Sequence, residues 1–288
     1  MNTKINLAGV ELKNPVMTAS GTFGSGMEYS EFVDLNKLGA VVTKGVANVP
    51  WPGNPTPRIA ETYGGMINAI GLQNPGIDVF CERDIPFLKK YDTKIIVNVC
   101  GKSERDYVEV VERLAGEPVD MLEINISCPN VKEGGIAFGQ NAANIEHITK
   151  AIKNVAKQPV IMKLSPNVTD ITEMAKAAEA GGADVLSLIN TITGMKIDIN
   201  RQTFAVANKT GGLSGPAVKP VAVRMVYQVA NAVSLPIIGM GGIATAEDAL
   251  EFIMAGATAV SVGTANFHNP RATMDVLDGI KAYMERYH

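Results

Sequence analysis

Short apolar runs rich in Val, Ile and Met alternate along this chain with longer stretches in which apolar residues return every three or four positions. Runs of the first kind predict buried parallel strands and those of the second amphipathic helices, so the alternation predicts βα units. The chain opens differently. Ile5 to Leu12 alternates apolar with polar residues around Ala8-Gly9, which predicts a β-hairpin. Eight strand-like runs follow, at Pro15 to Ser20, Ala40 to Gly45, Lys94 to Cys100, Met121 to Ser127, Val160 to Leu164, Val185 to Asn190, Pro236 to Gly239 and Ala259 to Gly263. Helical spacing fills most gaps. Ser103 with Glu104 opens one helix toward Ala115, and others cover Asn144 to Ala156, Ile171 to Ala180, Ala217 to Ala232, Ala246 to Ala255 and Arg271 to Tyr287.

This periodicity fits an open, doubly wound sheet as well as a closed barrel. The strand ends separate the two. Nearly every run finishes in a polar residue or a glycine: Ser20-Gly21, Lys44-Gly45, Asn98, Asn125 to Cys128, Lys163, Asn190-Thr191, Gly241-Gly242 and Gly263-Thr264. In a barrel such ends converge on one mouth, whereas an open sheet spreads them along an edge. The expectation is an α/β fold, a (β/α)8 TIM barrel with an N-terminal β-hairpin. Trp51 to Pro75 and Thr191 to Pro216, rich in Gly, Pro and Asn, are expected as long loops over the C-terminal mouth. No linker, low-complexity tract or repeat beyond the βα unit interrupts the pattern, so residues 1–288 are read as a single domain.

Composition narrows the function. A formal net charge of −3 argues against nucleic acid, which demands a basic face. No run approaches the ~18 apolar residues of a membrane span, and Met1-Asn2-Thr3-Lys4 lacks the apolar core of a signal peptide. A cytoplasmic protein with neither membrane nor nucleic-acid partner is expected. Cys81, Cys100 and Cys128 form no CxxC pair, and His147, His268 and His288 are scattered, so no disulfide, zinc site or resident iron–sulfur cluster is expected.

Candidate chemistry gathers at the expected mouth. Pro236 to Gly242 and Val260 to Thr264 place glycines where backbone N–H groups can approach an anion, with a helix start near Thr245 to favour its charge. The alternative is that these glycines only permit tight turns. Asn125-Ile-Ser-Cys-Pro-Asn130 ends the fourth strand. Alternation points Glu123 and Asn125 one way and Ile124 and Ile126 the other, and Cys128 falls in the loop ahead of a proline. A cysteine there suits acid–base or nucleophilic work. Cys81, in a helical pattern, and Cys100, in an apolar strand, read as small hydrophobes. Lys44 and Lys163 end apolar strands, where an ammonium group is costly to bury without an anion. Snorkelling to solvent explains one such lysine more readily than two. No paired carboxylates or Ser-His-Asp arrangement supports hydrolysis.

Several segments together carry a family resemblance: Asn68-Ala-Ile-Gly-Leu-Gln-Asn-Pro75, NISCPN from Asn125, KLSPN from Lys163, INT from Ile189, GGLSGPAVKP from Gly211, GMGG from Gly239 and VGTANF from Val262. Spanning almost the whole chain, they resemble class 1 dihydroorotate dehydrogenases. ISCPNVKEGGIAFG and KLSPNVTDI are closest to the NAD-linked type 1B catalytic subunit. The membrane-bound class 2 enzymes differ in carrying an N-terminal helical extension and a serine in place of this cysteine.

The resemblance implies oxidation of dihydroorotate to orotate in pyrimidine biosynthesis, on one FMN per chain. It assigns FMN to Ser20, Lys44, Gly45, Asn98, Asn125, Lys163, Ile189, Gly215, Gly241, Gly242, Gly263 and Thr264. Substrate falls to Lys44, to Asn68, Ala69, Ile70, Gly71 and Leu72, and to Asn125, Asn190 and Thr191. Cys128 becomes the base that takes the C5 proton, and Pro129 to Asn141 a lid over the substrate. It also implies a partner subunit carrying FAD and a [2Fe–2S] cluster, in an assembly of two plus two chains that passes electrons to NAD+. Other readings are a tRNA dihydrouridine synthase, a related barrel acting on dihydrouracil, and a non-catalytic phosphate-binding barrel. The acidic balance and the lack of a basic helical C-terminal domain weigh against the first. A scaffold has no need of Cys128 together with two mouth lysines.

Overall fold

The computed structural model describes residues 2–126 and 138–287. Eight parallel strands close into a barrel in chain order: β1 (Val16–Thr18), β2 (Ala40–Val42), β3 (Lys94–Val99), β4 (Met121–Asn125), β5 (Val160–Lys163), β6 (Val185–Leu188), β7 (Ile237–Met240) and β8 (Ala259–Val262). β8 pairs back onto β1 with Val260 opposite Val16, so no sheet edge is left open. Helices α1 (Glu104–Leu114), α2 (Ala142–Val155), α3 (Ile171–Ala180), α4 (Lys219–Ala230), α5 (Ala246–Met254) and α6 (Ala272–Tyr287) pack outside. α1 starts where the sequence places it, with Ser103 and Asp106 forming a reciprocal capping box. The first crossover differs from the rule: two 3-10 turns, Tyr29–Glu31 and Leu35–Lys37, stand there in place of an α-helix.

The pleat sorts each strand between two cores. Val16, Val41, Ile95, Val97, Ile124 and Val260 face the helices, in the large outer core. Met17, Ala40, Val42, Ile96, Met121, Ile161, Val185, Ile238 and Ala259 fill the barrel interior. The hairpin, with Leu7 opposite Val10, turns at Ala8-Gly9 as expected and adds Leu7 and Leu12 to that interior cluster, closing the barrel floor. Going up the same strands the interior changes character. Two residues beyond Ile96, Met121, Ile161 and Val185 come Asn98, Glu123, Lys163 and Ser187, all buried. An apolar floor thus carries a polar upper layer.

The two long segments are not loops throughout. Ile59–Thr62 and Gly65–Asn68 from the first join Ile192–Met195 and Thr210–Ser214 from the second in a four-stranded antiparallel sheet, with Asn68 opposite Gly212. The glycines that read as loop formers serve close strand approach instead. A Cβ at Gly65 would lie 2.0 Å from the Ser214 carbonyl oxygen, and one at Gly211 would lie 2.5 Å from that of Asn68.

Candidate active site at the barrel mouth

Strand register places the polar ends level with one another: Asn98 lies opposite Glu123, Asn125 opposite Lys163, and Ser187 opposite Lys163. Hydrogen bonds join them into one network. Asn190 Nδ2 donates to Asn125 Oδ1 (3.3 Å), and Asn125 Nδ2 reaches Asn98 Oδ1 (3.5 Å). Asn98 Nδ2 donates to Glu123 Oε1 (2.6 Å), and Ser187 Oγ donates to Glu123 Oε2 (2.9 Å). Lys163 Nζ donates to Ser20 Oγ (3.2 Å) and stands 3.7 Å from Glu123. Of the expected polar site residues, Ser20, Asn98, Asn125, Lys163 and Asn190 meet in this network. Glu123 and Ser187 are additions. The sequence gives Glu123 a direction but no role, and its only signal is an acidic residue within an apolar strand.

Lys44, another expected site residue, follows the end of β2. Its backbone N–H donates to the Gly24 carbonyl (2.9 Å), and its side chain lines a cavity with Gly24, Glu28, Arg83 and Asp84. Gly45 lies against the network, where a Cβ would come 3.0 Å from Asn98 Oδ1. Tyr107 of α1, absent from the sequence expectations, donates its hydroxyl to the Asn125 carbonyl at 2.7 Å and so anchors the end of β4. Cys128 and residues 129–137 of the expected lid lie outside the described residues. Asn141, the last lid residue, caps α2 by accepting from the Asn144 amide.

The stretch from Asn68 to Leu72 divides. Asn68 belongs to the sheet, its Nδ2 3.5 Å from the Gly212 carbonyl. Ala69 is sunk in a small core with Ile67 and Val206, and its N–H and C=O are bonded to Arg58 and Asn54, so it contributes shape only. Ile70 and Gly71 back onto Asn54, and Leu72 packs with Ala47, Trp51 and Cys100. Thr191 is held from beneath, its carbonyl accepting from Asn167 Nδ2 (3.0 Å).

The glycine cradle is assembled from three segments. A Cβ on Gly242 (φ +81°) would lie 2.8 Å from the Gly215 carbonyl and 2.8 Å from Lys219 Cβ. Thr264 Oγ1 donates to Ser214 Oγ (2.8 Å), tying the β8 exit to the same loop. Ile189 is buried behind, its N–H donating to the Met240 carbonyl. Glycine backbone with the small side chains of Ser214 and Thr264 thus forms this surface, which leaves room for close approach of a phosphate, and together with the Lys163 ammonium it fits FMN.

At the N-terminus of α5 the Asp248 carboxylate accepts from the Ala244 and Thr245 amides (both 2.9 Å), closing a capping box with the N-cap Thr245. Burial pushes the Asp248 carboxyl up, but hydrogen bonds from Lys219 and those two amides outweigh it and hold the group below the ordinary aspartate range. Its stabilising contribution is complete above the unfolded value of about 3.9 and is lost as pH falls through the lower folded value. Asp248→Ala is expected to lower Tm by roughly 2–4 °C at pH 7. The gap from wild type should close below about pH 4 in melting scans; a constant gap would refute the linkage.

Two of the three cysteines lie among the described residues. Burial pushes the Cys81 thiol up to about 11, with Arg113 working against it, and Cys100 is wholly buried. Neither suits a thiolate base near neutral pH. Among the described residues no helix is long and apolar enough to cross a membrane.

The family model described as dihydroorotate dehydrogenase matches residues 2–284. The chain is 77% identical over 286 residues to a Lachnoclostridium phytofermentans protein named dihydroorotate dehydrogenase B (NAD(+)), catalytic subunit, covering 99% of this chain and 95% of that one. It is 69% identical to the Alkaliphilus metalliredigens protein of the same name, covering 100% and 95%. A solved structure titled as DHODH in complex with ferulenol from Eimeria tenella superposes with a TM-score of 0.82 at 25% identity, covering 99% of this chain and 85% of that one. On a family match of this extent, and relatives this similar over their full length, the chain belongs to the dihydroorotate dehydrogenase family.

Proposed function

We propose that this chain is the catalytic subunit of an NAD+-linked dihydroorotate dehydrogenase, oxidising dihydroorotate to orotate in pyrimidine biosynthesis. The observation that carries the reading is the end-to-end 77% identity to a protein of that name. The mouth network supports it, because it is built from the expected site residues Asn98, Asn125, Lys163 and Asn190. All 288 residues are read as one functional unit acting in the cytoplasm.

FMN, when bound, supplies the acceptor for the hydride that leaves C6 of the substrate. Gly241, Gly242, Gly263, Thr264 and Gly215 would hold its phosphate through backbone groups. Ser20, Gly45, Asn98, Asn125 and Ile189 would line the ring, and Lys163 would present positive charge to its N1/O2 edge. Lys44, Asn68, Asn125, Asn190 and Thr191 offer the cation and amides that a small planar carboxylate with imide-like groups needs, and Ala69 to Leu72 shape its pocket. Cys128 takes the C5 proton.

Electrons then leave for NAD+ through a partner subunit carrying FAD and a [2Fe–2S] cluster, in a heterotetramer of two plus two chains. This chain has no GxGxxG after a strand to cradle a dinucleotide, and three cysteines cannot provide four cluster ligands. The isolated protein should be yellow and should bleach anaerobically with dihydroorotate. It should reduce an artificial dye but little NAD+, and the partner subunit should restore NAD+ reduction. Efficient NAD+ reduction without copurifying iron or FAD would overturn the partner reading. Turnover of dihydrouracil without inhibition by orotate would overturn the substrate.

A further inference from the structure

The buried carboxylate of Glu123 has no part in the mechanism above. Glu123 is 1% exposed, and both its oxygens are fixed, one by Asn98 and the other by Ser187. Lys163, 4% exposed, stands 3.7 Å away and turns its remaining reach to Ser20. A barrel interior of this size is ordinarily filled with apolar side chains, as it is one layer lower. Placing an ion pair there carries a desolvation cost that apolar replacements avoid. Nothing in the stability of the barrel calls for it, and its position between apolar floor and mouth points to a role toward what the mouth binds.

We propose that Glu123 is a positioning residue that holds the Lys163 ammonium at the mouth and offsets its charge, setting the reduction potential of the bound flavin. Alone, Lys163 would stabilise strongly the negative charge that a flavin gains on reduction. Backed by Glu123, it acts as the positive end of a neutral pair, so the flavin is held at a lower potential and passes its electrons onward more readily. Asn98 and Ser187 keep the carboxylate from rotating away. This inference rests on the flavin reading above.

Glu123→Gln keeps the shape and removes the charge: its amide oxygen still accepts from Asn98, and its NH2 donates to the Ser187 hydroxyl, which turns from donor to acceptor. Anaerobic titration against reference dyes should show the flavin easier to reduce by at least about tenfold in the equilibrium constant, an upward shift of about 30 mV for two electrons. An unchanged or lower potential in a yellow Glu123→Gln protein would overturn the proposal without touching the flavin reading. A second test needs no flavin. Lys163→Gln leaves the carboxylate buried without its counter-charge and should lower Tm, and adding Glu123→Gln should recover most of the loss. If the double variant melts no higher than Lys163→Gln alone, the pairing is wrong. A colourless wild-type protein would instead remove the flavin reading, and with it the role assigned to the pair.

Discussion

Replacing Cys128 with Ala is expected to slow flavin reduction by dihydroorotate roughly 10²–10⁴-fold while leaving the bound flavin's spectrum intact. The effect is large because no other thiol can substitute. Cys81 is held near 11 by burial and Cys100 is enclosed in an apolar cluster. The segment bearing Cys128 leaves β4 at a fixed point, since Asn125 is bonded through its carbonyl to Tyr107 and through its side chain to Asn98. An unperturbed thiol titrates at about 8.5, so the wild-type rate should climb toward that pH unless a nearby cation lowers the value. Cys128→Ser should keep some activity with its optimum moved upward. Stopped-flow reduction of the three proteins decides the matter, and near-normal reduction by the Ala variant at neutral pH would sink the assignment.

Gly242→Ala should release most of the flavin. L residues avoid φ +81°, at roughly 1–2 kcal/mol, and the new Cβ would meet the Gly215 carbonyl at 2.8 Å, a backbone atom that cannot step aside without opening the cradle. Together these predict flavin binding weaker by about 10–100-fold, read as flavin content after gel filtration. Gly263→Ala is the control. Its nearest neighbours are the side chains of Ala19 (3.3 Å) and Thr22 (3.7 Å), and a loss below about threefold is expected. Gly241 behaves differently again, because a side chain there points toward Ala222, Ile189 and Val218. Gly241→Asp would therefore bury a carboxylate against apolar groups and damage the fold before it competed with a phosphate. Equal flavin content in the Gly242 and Gly263 variants would place the phosphate elsewhere.

The barrel was legible because strand alternation and helical spacing are local signals, and the polar strand ends announced the mouth. Lys44 and Lys163 stood out for the same reason, as charges closing apolar runs. What stayed hidden depends on distant partners. Gly212 reads as a loop residue because Asn68, which it pairs with, lies over 140 positions away. Glu123 acquires its meaning only from Asn98, Lys163 and Ser187 on three other strands. The helix start near Thr245 was legible, but not that Asp248 would close it with a reciprocal capping box.

The hairpin that stoppers the barrel has a consequence for traffic. With Leu7 and Leu12 wholly buried over the floor, water and protons exchange with the interior polar layer through the upper rim. A ligand seated at that rim shuts the exit behind it. Glu123 and Lys163, already almost wholly buried, then sit in a medium of still lower permittivity, where each charge acts over a longer range. Docking a ligand thus alters the electrical surroundings of the groups beneath it, and a hairpin at the far end of the barrel, touching no ligand, takes part in setting the field that the chemistry experiences.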